Sequence, residues 1–188
     1  AELIRITLPD GTVKEFEKGA SSMDVALSIS EGLARNVLAA TVNGETWDAN
    51  RPITTDATVS LLTWNDDDGK NTFWHSSAHL MAEALEILYP GVKFWVGPAL
   101  ENGFYYDVDF MDHQFESENL KALEDKMLEL ARQKNQYMRK EISKADAIQY
   151  FDDKGDEYKL DLLVGLEDGN ITLYTQGQLT DLCRGHHI

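Results

Sequence analysis

The sequence predicts two α+β modules in series, and three observations carry that prediction. Strand-like alternation brackets tight-turn dipeptides in the first third, a polar glycine-containing run breaks the pattern at residues 65–71, and helix-period and strand-period segments mix after it. With 188 residues the chain can bury one sizeable core or two small ones.

In the first module, Leu3 to Leu8 reads as a strand, Asp10-Gly11 supplies a turn, and "VKEFEKG" returns, so residues 3–18 form a hairpin. Ser21 or Ser22 caps a helix running to about Leu33, with Val25, Ala26, Ile29 and Leu33 on its buried side. "LAATVNGETWDA" follows, with the hairpin signal Asn43-Gly44, and then the alternating strand "ATVSLLTW". Hairpin, helix and two or three further strands give the ubiquitin-like β-grasp order. The predicted domains are 1–64 and 65–188, with "NDDDGKN" as the boundary.

In the second module a helix is expected from about Thr72 to Tyr89, stopped by Pro90-Gly91. Strands follow in "KFWVGPAL" and "GFYYDVDF". A long helix covers roughly Ser117 to Tyr137 with Leu120, Leu123, Met127, Leu130 and Ala131 at helical spacing. "MRKEIS" reads as a strand, Ser143 caps a helix to about Asp153, and "YKLDLLV" and "ITLYTQG" read as strands.

Composition narrows the function. No apolar run approaches the ~18 residues that a bilayer span needs, and the opening "AELIRITLPDG" lacks the basic and apolar regions of a signal peptide. A cytoplasmic location with no membrane partner is expected. A net charge of −16 argues against general nucleic-acid affinity, so any such contact is local. Arg132, Lys134, Arg139, Lys140 and Lys144 are the candidate patch, although a solvated helix face explains them as well. Trp47, Trp64, Trp74 and Trp95 sit in or beside apolar runs and are expected to pack. The single Cys183 has no intramolecular disulfide partner.

The motif that points to chemistry is "HSSAHLMAEAL", where His75 and His79 stand four residues apart on one helix face. On a helical wheel they fall outside the apolar arc of Trp74, Ala78, Met81 and Leu85, with Glu83 and Glu86 beside them. The competing reading is a solvated polar face. Cys183 and His187 in "TDLCRGHHI" repeat the four-residue spacing, so His75, His79, Cys183 and His187 have the donor types of a tetrahedral metal site. Ser76 stands where a zincin protease has its glutamate, which argues against that class.

Taken in order, "LPDG", "MDVA", "VNGE", "HSSAHL", "GPALENGFYYDVDF", "GDEYK" and "TDLCRG" resemble the N-terminal region of bacterial-type threonyl-tRNA synthetases. The resemblance covers essentially the whole chain. It implies a TGS domain at 1–64 and an editing domain at 65–188 of the type shared by threonyl- and alanyl-tRNA synthetases. The chain would then be a fragment of a larger ligase that attaches threonine to tRNA(Thr). Its aminoacylation domain, with ATP and zinc, would follow. The implied reaction is hydrolysis of seryl-tRNA(Thr) by activated water, without a cofactor or metal. It is needed because a pocket for threonine rejects serine by only about 1–3 kcal/mol.

The resemblance also implies site residues. The family's histidine and cysteine pairs fall on His75, His79, Cys183 and His187, and its lysine falls on Lys159. His75 and Lys159 would position and activate water or protonate the leaving oxygen, and Lys159 would stabilise the oxyanion. Tyr106 would line the pocket, Asp181 would hold the seryl ammonium, and backbone amides near Gly97 or Leu182 would orient the substrate. His186 stands where the family has proline. The fragment is expected to be a monomer and the parent enzyme a homodimer. Two alternatives remain open. One is a zinc-dependent aminoacyl-tRNA hydrolase of the alanyl editing type, with His75, His79, Cys183 and His187 as ligands. The other is a non-catalytic RNA-docking or regulatory module.

Overall fold

Asp10-Gly11 makes the expected turn, with β1 (Leu3–Thr7) and β2 (Val13–Glu17) antiparallel from Leu3↔Glu17 to Thr7↔Val13. The computed structural model describes residues 1–167, 169–183 and 185–187. It falls into two compact units. The first comprises Ala1–Ser76, Leu100–Asn102 and Gly185–Ile188, and the second Ser77–Ala99 and Gly103–Arg184.

In the first unit, α1 (Ser22–Ile29) and α2 (Glu31–Asn36) precede β3 (Ala39–Val42), β4 (Glu45–Trp47) and β5 (Ala57–Leu62). The sheet order is β2-β1-β5-β3-β4, with β1 parallel to β5 and the other pairs antiparallel. This is the β-grasp arrangement the sequence predicts. Alternation puts Ile4 and Ile6 of β1 under the helix, where they bury against Val25, Val42, Ile53 and Val59. Each such side chain stabilises by about 1.5–3 kcal/mol when fully buried.

Ser21 caps α1 through a capping box with Asp24. The single helix expected through Leu33 is instead two, because Ser30 is extended and its hydroxyl accepts the Leu33 N–H to start α2. The break turns Ile29, expected to be buried, 44% into solvent. Trp64 meets Phe73 and Trp74 edge-on, yet it stays exposed rather than packed away.

α3 (Asp67–Leu88) begins five residues before the predicted Thr72. The Asp66 carboxylate accepts the Thr63 N–H at 2.8 Å, and Asp67 and Asp68 place negative charge in the first turn, where the helix dipole favours it. The run "NDDDGKN" is therefore mostly helix rather than linker. β6 (Lys93–Phe94), β7 (Ala99–Leu100), β8 (Gly103–Phe104) and β9 (Val108–Asp109) are shorter than the sequence suggests.

After a 3-10 turn at Ser117–Asn119 comes α4 (Leu120–Gln133), which stops short of Tyr137 because Lys134 is left-handed at φ 53°. Leu123 and Leu130 of α4 are buried, whereas Leu120 at its start is exposed. Then come β10 (Met138–Ser143), α5 (Lys144–Asp153), α6 (Glu157–Val164), β11 (Asn170–Gln176) and β12 (Leu179–Leu182), with an antiparallel sheet in the order β10-β11-β12. α6 corrects the strand read in "YKLDLLV". Asp156 accepts the Lys159 N–H at 3.2 Å as an N-cap, and Leu163 buries against Phe151 and Ile171. Among the described residues no helix is long and apolar enough to cross a membrane.

Candidate functional site

Four elements of the second unit converge on one carboxylate. β12 carries Asp181, whose register partner is Tyr174 on β11. α6 supplies Lys159, the loop between β8 and β9 supplies Tyr106, and α3 supplies His79. Lys159 Nζ lies 2.7 Å from Asp181 Oδ1 and also donates to the Trp95 carbonyl at 2.9 Å. The Tyr106 hydroxyl donates to Asp181 Oδ2, and the Leu182 N–H donates to Oδ1 at 2.8 Å. His79 Nε2 stands 3.8 Å from Oδ2. Lys159 and Asp181 are only 4% and 3% exposed.

These contacts fix the charge state. Burial pushes the Asp181 carboxyl up, but the Lys159 ammonium, then His79, then hydrogen bonds from Lys159 and Tyr106 outweigh it and hold it below the usual carboxylate range. Burial, reinforced by the Asp181 charge, raises Tyr106 well above the ordinary phenol value, so its hydroxyl stays protonated. Burial also lowers His79 against the opposing pull of Asp181, with Lys159 adding to the lowering. His79 is therefore a neutral imidazole at pH 7, and its approach to Asp181 is not an ion pair there.

Gly97 and Leu182 both stand against this group of side chains. A Cβ on Gly97 would lie 2.4 Å from the Tyr106 ring, so glycine is what lets that ring lie flat against the chain. The Leu182 N–H is engaged with Asp181, as given above. A cavity of about 220 Å³ opens on Lys159 and Asp181, with Glu86, Lys93, Lys154 and Asp156 on its wall. A larger cleft of about 520 Å³ is lined by Leu162, Leu166, Ile171, Leu182 and Cys183. Cys183 is half-buried.

The first unit gathers His75, His186 and His187. The His75 and His187 rings lie 4.6 Å apart between centroids and are tilted by 30°. His187 is fully buried, its Nδ1 lies 2.9 Å from Ser76 Oγ, and its backbone N–H donates to Asp48 Oδ1 at 2.7 Å. His186 Nδ1 is 3.9 Å from the same carboxylate oxygen.

The helical wheel misjudged one face of α3. His79 and Glu83, expected among polar surface groups, are each 3% exposed. They are covered because partners reach them: Asp181 meets His79, and Gln176 Nε2 donates to Glu83 at 3.4 Å. Sequence reasoning missed Asp48, Ser76, the Trp95 carbonyl and the Glu83–Gln176 pair. Ser76, a small hydroxyl next to His75, and Glu83 stood in the histidine motif, but without their partners. The candidate basic patch is largely solvated. Arg139 pairs with Glu141 at 2.5 Å, and Lys144 donates to the Leu166 carbonyl at 2.5 Å.

Comparison with known proteins gives the family of the first unit and relatives of the whole chain. The family described as the TGS domain matches residues 4–63. Threonine–tRNA ligase from Cytophaga hutchinsonii is 69% identical over 186 residues, covering 99% of this chain. The ligases of that name from Parabacteroides distasonis and Bacteroides thetaiotaomicron are 58% and 54% identical over 186 residues, again with 99% of this chain covered. The chain spans 29% of the length of each of these relatives.

Proposed function

The chain is homologous to the N-terminal part of bacterial threonine–tRNA ligases and carries a TGS domain, and from that premise we propose that it hydrolyses the ester of mischarged seryl-tRNA(Thr). The observation that carries the proposal is the buried Lys159–Asp181 pair, tied to Tyr106 and opening on a cavity. A structural ion pair has no need of a cavity at its head. A buried pair without a task costs several kcal/mol of desolvation per ion that apolar packing avoids.

The chemistry follows from the donors. An ammonium has three N–H groups, and among the described residues Lys159 directs two of them at Asp181 and the Trp95 carbonyl. The third stabilises the oxyanion formed when water attacks the ester carbonyl. Neutral His79 holds a lone pair that orients or deprotonates that water. Asp181, kept ionised, attracts the seryl ammonium, and the Tyr106 ring limits the space for an extra methyl. On the pattern of the sequence, His75, Cys183 and His187 serve the same reaction, His75 as a second group acting on water.

The same donor types, three imidazoles and a thiol, suit zinc. The Ser76 contact on His187 Nδ1 is the kind of outer hydrogen bond that aims a metal-ligating imidazole. The metal-free reaction is preferred because an ammonium already stands at the carboxylate to stabilise the developing charge. Metal content of purified protein and the effect of a chelator on turnover decide between the two. Attachment of threonine to tRNA with ATP, zinc and a homodimeric ligase is proposed for portions of such proteins beyond the 29% matched here.

The test is deacylation of Ser-tRNA(Thr) and Thr-tRNA(Thr) side by side. Rapid loss of serine with threonine spared supports the proposal. Equal rates remove the specificity, and no hydrolysis of either removes the activity.

A further inference from the structure

We infer that Asp48 and Ser76 are positioning residues for His187, one of the groups assigned above to the proposed hydrolysis. The inference rests on the hydrolytic reading above and adds two positioning residues to it. Asp48 lies within the 4–63 TGS match, immediately after β4. It is buried, and its Oδ1 accepts the His187 N–H at 2.7 Å. Ser76, also buried, sets its hydroxyl 2.9 Å from His187 Nδ1. One residue thus holds the backbone of His187 and the other holds its ring.

The carboxylate is itself held firmly. The Arg51 N–H donates to the Asp48 carbonyl at 3.1 Å, and the Met23 N–H, at the start of α1, donates to the Ala49 carbonyl at 2.8 Å. Arg51 caps the loop by lying 3.9 Å over the Trp47 ring. Asp48 therefore presents its oxygen from a loop anchored on both sides, which is the condition for aiming a distant side chain.

Orientation matters because an imidazole has two distinct nitrogens. Whatever engages Nδ1 decides whether Nε2 carries a proton or a lone pair. A base at Nε2 requires the proton on Nδ1, with the Ser76 oxygen accepting it. Ser76 then holds the ring in that tautomer by accepting its proton, while Asp48 holds the backbone that carries the ring.

The test combines 15N chemical shifts of the His187 imidazole with seryl-tRNA hydrolysis, using Ser76→Ala, Ser76→Thr, Asp48→Ala and Asp48→Asn. Ser76→Ala is expected to shift the His187 nitrogen signals away from the Nδ1-protonated pattern and to lower kcat about 10- to 100-fold with KM little changed. Ser76→Thr restores the hydroxyl and is expected to rescue both. Asp48→Asn keeps an acceptor oxygen and is expected to stay near wild type, whereas Asp48→Ala lowers kcat by a similar factor. Unchanged nitrogen shifts and kcat in Ser76→Ala overturn the inference. So does an Asp48→Asn protein as impaired as Asp48→Ala, because the acceptor would then not be what counts. The nitrogen shifts are read without tRNA. If the wild-type chain hydrolyses no seryl-tRNA, the hydrolytic reading fails, and the shifts still decide whether Ser76 and Asp48 position the ring.

Discussion

Asp181 and Asp48 are both buried carboxylates, and they are satisfied in different ways. Asp181 is met by an ammonium, a phenol and a backbone amide, and a cavity reaches it. Asp48 accepts the backbone N–H of His187 from a pinned loop. At Asp181 the countercharge is essential, because removing Lys159 would strand an anion in a low-dielectric site. At Asp48 what counts, on the inference above, is the acceptor oxygen holding the His187 N–H, which Asp48→Asn tests. Burial of an acid therefore does not by itself reveal whether charge or shape is being used. The partners reveal it.

The largest expected effect breaks the Asp181 side of the comparison. Lys159→Met leaves Asp181 buried without its countercharge and should cost about 3–5 kcal/mol in denaturant unfolding, with hydrolysis lost. Adding Asp181→Leu removes the stranded charge and should recover most of that stability without recovering hydrolysis. Asp181→Asn should likewise disable the protein far more than Asp48→Asn does. Equal effects of these two asparagine variants on kcat would erase the distinction between charge and shape.

A smaller effect is expected at Gly97. Gly97→Ala puts a methyl 2.4 Å from the Tyr106 ring and must push the phenol off Asp181. A stability loss of about 1–3 kcal/mol is expected, together with a reduced preference for serine over threonine in deacylation.

The smallest effect concerns Glu83, a third buried acid, which has neither an ammonium nor a backbone amide among the partners given above. Burial raises its carboxyl, only partly offset by the Gln176 hydrogen bond and reinforced by Glu86. A folded-state value above the unfolded one contributes stability that is present at pH below the unfolded value and is lost as pH rises through the folded one. At pH 7 the ionised acid is therefore a burden. Glu83→Gln should raise the melting temperature by a few degrees at pH 7 and lose that advantage near pH 4. A gain that persists unchanged at pH 4 would show that the charge is not the cause.

The contrast between sites matches what the sequence made legible. The β-grasp unit could be read because its strands alternate cleanly and its turns carry Asp10-Gly11 and Asn43-Gly44. α6 was misread because "YKLDLLV" is short and apolar enough to fit a strand, and the deciding feature is a single cap at Asp156. β12 escaped notice because half of its four residues are polar, and Thr180 and Asp181 gain their partners from distant elements or from the neighbouring strand. His79 and Glu83 looked solvated because a wheel treats polar residues as outward-facing and cannot know that Asp181 and Gln176 will cover them. Lys159, Tyr106 and Asp181 were accessible through the resemblance. Asp48 carried no local signal, since its role depends on a backbone amide 139 residues away.

The most direct test of the central claim is seryl-tRNA(Thr) hydrolysis by the Lys159→Met/Asp181→Leu protein, measured beside wild type after its folding has been verified. The account predicts a folded protein whose seryl-tRNA hydrolysis falls by orders of magnitude. A folded double variant that clears serine at the wild-type rate would contradict it and return the Lys159–Asp181 pair to a purely structural role.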